Sequence, residues 1–521
     1  MLSGGHVIIS KLPRLLAVVA AVAGGVAWII FSRAGLVLSH YDAEAHLVVA
    51  RRVFDNLTPG WQQIGAVWLP LPHLIDLLPV QIDFFYRTGL FASFVSVVCL
   101  ATTTYVAARL VLRVTGSAIG ACVSALLLLL NPNLLYLHTT PMTEPLLIAA
   151  TALTILWLVE WVDAGAMVPG AGVRDPGSVP PKLAAALFAT MWTRYEAWPI
   201  VGVALAATAY ALWRRGASFN TLLRRGTSLI SWPALAVIIF LINSRITVGS
   251  WFVSEGFYVP DPTYAHQPIR TLVGIWWGTH QLSGYPIEAA ALATAVVMAW
   301  RALARKQDAS LLITLALFAS AAVPAVAFFD GHPYRIRYMI PLVSACAVFS
   351  GFAVGLIAQT RKAPALRYAA AGILLASLLI ESPIWNLNAP MLLEAQWDRG
   401  ASIGRRSVTT CLAREYNGDK VLASMGSLAH YMQELSNSGF AIADFVNEGN
   451  GAIWNLALQT GPAPHAGWML VEEVAEGGDV LAEHVRRDAA FTHGMKRVCE
   501  GGGVALYKRE SLPVSGQTAH R

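Results

Sequence analysis

Charge is what this chain lacks. Only 13% of its 521 residues are Asp, Glu, Lys or Arg, whereas 56% are hydrophobic. A globular domain carries about 25% charged residues, so this chain has too little polar surface to stay in water. A soluble fold is excluded on composition alone. Nucleic-acid binding is excluded too: the net charge of +6 is spread between apolar runs and gathers into no basic patch. No clear internal repeat is present, and no spacing of His, Cys, Asp or Glu is diagnostic of a metal site. Cysteine is sparse. Three of the five, Cys99, Cys122 and Cys346, fall in apolar runs, leaving Cys411 and Cys499 elsewhere.

What is present is a series of apolar runs near the roughly 20 residues a helix needs to cross a bilayer. They lie at about 15–31, 89–112, 117–136, 144–161, 183–193, 198–213, 227–244, 286–302, 309–329, 339–359 and 367–382. Eleven spans are expected, the fifth too short to cross unaided. Residues 1–33 read as a helical anchor, because no A-x-A-like cleavage site follows the first run. Alternate connecting segments hold 16 and 9 Lys or Arg residues, so the richer set, with the N-terminus, is expected in the cytoplasm. All nine on the outer side are Arg, whose planar fork suits phosphate; a codon bias against Lys is the competing source of that pattern.

From about residue 383 charged residues return. Lys420–Ser424, Trp468–Glu472 and Gly503–Lys508 read as strands and Asp479–Arg487 as a helix, so 383–521 is expected to be an extracytoplasmic α/β domain beside a membrane all-α bundle over 1–382. Cys411 and Cys499 then sit in an oxidising compartment, and either a disulfide or two separately buried thiols fits the sequence.

Polar motifs cluster on the outer side. The first outer loop, about 32–88, opens with His40-Tyr41-Asp42-Ala43-Glu44-Ala45-His46 and continues as an amphipathic stretch holding Arg51 and Arg52. Trp61, Trp68 and His73 follow, aromatic groups suited to headgroup depth. Asp42 is read either as a general base for an acceptor hydroxyl or as a helix N-cap. Thr143-Glu144-Pro145 opens a helix, with capping as the alternative. Thr193-Arg194-Tyr195-Glu196 puts a charged pair at membrane depth, which marks either function or a self-satisfied ion pair. Arg335 and Arg337, among His332, Tyr334 and Tyr338, are a phosphate clamp or interface anchors. Tyr258, Trp276 and Trp277 belong to an aromatic-rich outer loop, a cover for sugar or lipid or else a rigid structural segment. Asp42, Glu44 and His138 are the candidates for a divalent cation; His40 and His46 read first as water-exposed histidines.

Taken in order, Asp42-Ala43-Glu44 in a long first outer loop, Thr143-Glu144-Pro145, Thr193-Arg194, and Arg337-Tyr338 with Pro341 resemble the GT-C membrane glycosyltransferases of the protein-mannosyltransferase and aminoarabinose-transferase kind. The resemblance spans roughly 1–382. It implies that Asp42 is the catalytic centre, with Glu44 or Glu144 orienting the acceptor or holding a cation. It implies further that Arg194, with Arg337 and candidates Arg51, Arg52 and Arg335, binds the phosphate of a polyprenyl-linked sugar. Relatives often carry Lys-Gly where this chain has Arg194-Tyr195. The implied reaction is an inverting transfer to an extracytoplasmic glycan, lipid or protein, in a bacterial inner membrane and among its lipids. A polyprenyl-lipid flippase and a non-catalytic assembly subunit of the same fold remain alternatives.

The Lys/Arg asymmetry generates a direct test. A reporter fused after Arg521 should be active only if it works outside the cytosol. Signal from a cytosol-only reporter there would reverse the topology.

Overall fold

In hydrocarbon no water pairs with backbone N–H and C=O groups, so an apolar run must fold as a helix to cross. The structure, a computed structural model, describes residues 3–165, 176–253, 260–359, 364–474 and 477–510. Each of the eleven expected runs is helical in whole or part. Seven are long and apolar enough to cross a membrane: Ser10–Arg33, Leu90–Thr115, Glu144–Ala164, Phe219–Thr247, Tyr285–Ala304, Leu311–Phe329 and Ile336–Ala358. Ala118–Leu130 and Pro181–Met191 are shorter apolar helices, so by length and composition alone seven of the eleven expected spans are matched among the described residues.

The chain divides into two compact units. The first comprises 1–37, 65–72 and 91–395. The Ile340–Ala358 helix is apolar on every side and largely buried, as a central helix must be. Its contact with Ala118–Leu130 depends on glycine. A Cβ at Gly351 would lie 2.6 Å from Ser124 Cβ, and one at Gly120 would lie 2.5 Å from the Gly351 carbonyl oxygen. Small residues thus let the two backbones touch, the usual device where no hydrophobic effect drives helices together.

Elsewhere in this unit the Pro181–Met191 helix stops at Trp192 and a new helix starts at Ala197. The break is tied down rather than loose. Trp192 accepts from the Leu71 amide (3.0 Å), and its indole donates to the Ala236 carbonyl (2.8 Å). The five residues between the helices include Arg194 and Glu196.

The second unit gathers 38–64, 73–90 and 396–521. Its five-stranded sheet has β1 (Val421–Ala423), β2 (Phe445–Val446), β3 (Trp468–Glu472), β4 (Met495–Gly501) and β5 (Val504–Arg509) in the order β2-β1-β3-β5-β4. β1 pairs parallel with β2 and β3, whereas β5 runs antiparallel between β3 and β4. β1 and β3 are buried at every residue, so the centre of the sheet is covered on both faces, whereas the edge strand β4 is partly exposed. The three strands and the helix expected from sequence are present, with Asp479 capping Val480–Arg487.

First-loop residues are stitched into this unit by side-chain amides. Asn450 donates to Asn56 (2.7 Å) and Gln63 to the Gly449 carbonyl (2.9 Å), while the Ala443 amide donates to Asp55 (3.0 Å). Cys411, in the Arg399–Glu415 helix, is disulfide-bonded to Cys499 on β4, with Cα atoms 6.6 Å apart. The bond closes an 88-residue separation, for which chain entropy predicts about 4 kcal/mol of stabilisation. Cys411→Ser should therefore lower the thermal midpoint of the second unit by several degrees, and non-reducing peptide mapping of the parent should find one cross-linked pair. Two thiols labelled without reductant would contradict the bond.

Candidate active site

Within the first unit, polar groups converge where the broken helix meets the start of Glu144–Ala164. Glu144 has no solvent exposure at all. A buried carboxylate costs several kcal/mol unless paired, and Arg194 supplies the partner at 3.0 Å. Arg194 also holds Glu196 at 2.8 Å and donates to Thr143 Oγ1 at 2.8 Å. Thr143 is the N-cap residue of its helix, yet its hydroxyl makes no capping bond. Arg194 takes that oxygen instead, so capping does not account for Thr143.

A second guanidinium joins from the turn Ile336–Met339. Arg337 lies 3.8 Å from both Glu144 and Glu394 and is 7% exposed. Both guanidinium carbons lie over the Tyr338 ring, 5.9 Å away for Arg194 and 5.5 Å for Arg337. Glu394 anchors the turn by accepting from the Ile336 amide at 2.8 Å. The sequence offers no motif around Glu394, and only its burial beside Arg337 brings it to notice. By formal charge, Arg194 and Arg337 give +2 and Glu144, Glu196 and Glu394 give −3, a sum of −1. Arg335, half-buried at the start of the same turn, brings it to zero.

Asp42 lies in the second unit, buried in the first turn of the Tyr41–Arg51 helix. It is not the N-cap. His40 is, accepting from the Asp42 amide at 3.1 Å.

Glu44, two residues on, is rotated about 200° around the helix and does not share Asp42's face. Its carboxyl is associated with a cluster supplied by the tail, and burial pushes it up to about 8. Arg405 opposes that rise, whereas Asp398 and Glu434 add to it. Arg405 pairs closely with Asp398 and lies 3.6 Å from Glu472. His430 Nδ1 is 2.9 Å from Glu472, and the His430 ring packs 4.6 Å from Tyr41, whose hydroxyl donates to the Gly426 carbonyl at 2.7 Å. None of these tail residues carries a recognisable sequence pattern.

The remaining candidates are placed as follows. Arg51 is committed to Asp55 (2.9 Å), Asp83 (2.7 Å) and the face of Tyr86. Arg52 is buried, its Nε donating to the Gln63 carbonyl, and desolvation brings it down to about 10. His73 meets His46 at 3.0 Å. Trp61 is 46% exposed in the second unit, whereas Trp68 is half-buried in the first. Trp276 and Trp277 are exposed on the Pro268–Ser283 helix; Tyr258 lies outside the described residues. His138 is buried, with Nδ1 against the Leu134 carbonyl, and burial brings it down to about 4. Among the described residues no three His, Cys, Asp or Glu side chains gather as a metal site.

No protein-family model and no curated protein matches the chain. Solved structures do. ArnT from Cupriavidus metallidurans bound to undecaprenyl phosphate aligns over 97% of this chain and 98% of its own, with a TM-score of 0.52 at 11% identity. The apo form of the same protein gives 0.54 at 13% identity over the same shares. Identity this low speaks for the fold. The chain has an ArnT-like fold, with helices long and apolar enough to span a membrane and a small mixed-sheet domain.

The environment of Glu44 has a measurable consequence. Its folded value near 8 exceeds the unfolded 4.5, so between those pH values the folded state holds the extra proton. Stability should therefore fall as pH rises from 4.5 to 8 and level off above. Glu44→Gln, which is neutral throughout, should flatten that slope in thermal unfolding of the intact protein. Equal slopes for parent and variant would refute the assignment.

Proposed function

We propose that the chain is an integral membrane glycosyltransferase that takes a sugar from a polyprenyl-phosphate carrier and passes it to an extracytoplasmic acceptor with inversion. The observation that carries this reading is the pair of guanidiniums over Tyr338, from Arg194, half-buried, and Arg337, buried. The likeness to ArnT, which has been crystallised with undecaprenyl phosphate, adds support.

A sugar on a phosphate carrier needs its leaving charge neutralised. Arg194 is held between carboxylate oxygens of Glu144 and Glu196, which occupy the positions that phosphate oxygens would take. Because the cluster sums to −1, or zero with Arg335, an arriving phosphate gains by displacing Glu196 from the guanidinium rather than by adding to it. Fixed donors of this kind stabilise charge as it develops on the leaving oxygen.

Asp42 takes the proton from the acceptor hydroxyl or amine as that atom forms its bond to the anomeric carbon. The bond from the anomeric carbon to the phosphate oxygen breaks, and the carrier departs as its phosphate. One displacement inverts the centre and requires no enzyme nucleophile. Glu44, held by the tail cluster, fixes the helix that bears Asp42. The N-terminus lies in the cytoplasm in this reading, and the second unit lies outside.

Two variants separate the roles. Asp42→Asn keeps the shape and removes the base, so transfer from a radiolabelled polyprenyl-phosphate sugar should fall by about 10²–10⁴ with donor binding little changed. Arg194→Ala strands two buried carboxylates at a cost of about 3–5 kcal/mol. Arg194→Lys keeps the charge and should fold, yet lose donor affinity with the fork. Full transfer by Asp42→Asn would overturn the mechanism, and movement of the carrier without loss of its sugar would favour flipping.

A further inference from the structure

The helical unit has a second polar centre at the opposite end of its helices. Glu144 opens the Glu144–Ala164 helix and Asp163 closes it, which sets the two about 30 Å apart along the axis. A cavity of about 260 Å³ lies at the Asp163 end, lined by Arg113, Asp163, Arg215, Arg301, Asp308 and Ser310. Its walls come from the last turns of three apolar helices, Leu90–Thr115, Glu144–Ala164 and Tyr285–Ala304, together with the residue that caps Ala197–Arg214.

Two carboxylates already serve the three guanidiniums. Asp163 accepts from Arg113 (3.1 Å) and Arg215 (2.8 Å), and Asp308 accepts from Arg301 (3.2 Å). Positive charge is left over. The lining sums to +1, and Arg214, Arg305 and Lys306, adjacent in the chain, raise this to +4. Arg109 and Glu160, one turn away, cancel at 3.1 Å. Four helix C-termini contribute about half a negative charge each, leaving an excess of roughly two.

Arg215 is the second observation. It is 6% exposed and donates to the carbonyls of Val162 and Gln307 and to Ser310 Oγ, yet its Nε–H has no acceptor among the described residues. An orphaned buried guanidinium N–H calls for an anion or an ordered water.

We propose that this cavity is a phosphate-anion site. Guanidiniums bind phosphate through paired N–H groups, and the excess of about two positive charges fits one phosphate group. Basic pockets between helix ends are where membrane proteins take anionic headgroups. The occupant is the phosphate of an anionic membrane lipid or inorganic phosphate. The site is separate from Arg194 and Asp42, and its test does not depend on transfer activity.

The experiment uses the full chain in nanodiscs of phosphatidylcholine alone or mixed with phosphatidylglycerol, with retained lipid counted by native mass spectrometry. In detergent, inorganic phosphate is titrated against thermal unfolding. Phosphatidylglycerol should be retained selectively, and Arg301→Gln and Arg113→Gln should each weaken that retention about tenfold. Arg301→Lys, which keeps the charge without the fork, should recover part of it and excludes a folding defect as the cause. A thermal shift with inorganic phosphate that is lost in Arg301→Gln assigns the site to free phosphate; a response to phosphatidylglycerol alone assigns it to lipid. Equal retention of both lipids with no shift from phosphate, or Gln variants that behave as the parent, overturns the proposal.

Discussion

A carboxylate with no path to water dictates the local structure of the helical unit. Glu144 begins a transmembrane helix with zero exposure, and nothing apolar can satisfy it. The break after Met191 is what delivers a partner. A continuous helix through 181–214 would carry Arg194 on a fixed spiral, whereas the five-residue interruption lets its side chain reach Glu144, Glu196 and Thr143 together. Trp192, gripped by the Leu71 amide and the Ala236 carbonyl, keeps the interruption in one conformation. Arg337 and Glu394 extend the same network, so a fault in one ion pair propagates to residues on four segments of chain.

The second unit makes a different use of buried charge. Its tail contributes Asp398, Arg405, His430 and Glu472, and the short helix bearing Asp42 contributes Tyr41 and Glu44. Burial, with Asp398 and Glu434 adding to it, keeps Glu44 protonated to about pH 8. A tail domain that at first reads as an appendage therefore sets the environment of the first outer loop.

Sequence legibility tracks how local the determinants are. Strands such as Trp468–Glu472, the helix capped by Asp479 and the broken fifth span were visible because apolar runs and caps are local signals. Thr143, Glu144, Arg194 and Arg337 were visible because charge inside apolar sequence is conspicuous. Seven of the eleven expected spans fold as helices long and apolar enough to cross a membrane, whereas the runs at 117–136 and 183–193 hold shorter apolar helices among the described residues. Glu394 and the tail cluster were not legible. Charged residues are ordinary in a polar tail, and only long-range contact singles them out. Likewise Asp42 and Glu44 look like a pair on paper, and helical geometry turns them apart.

The second unit is assembled from three stretches that the helical unit interrupts. A ribosome that has finished residue 90 must add 306 more, 396 minus 90, before the last stretch starts to emerge. At about 5–20 residues per second that is a wait of roughly 15–60 s. Throughout it Asp55, Asn56 and Gln63 lack the partners that the tail will bring, and Glu44 lacks its cluster. Biogenesis of this protein thus contains an obligatory interval in which the two short stretches of the second unit exist without the long third one. A chaperone that shelters the first loop during insertion would act in that interval.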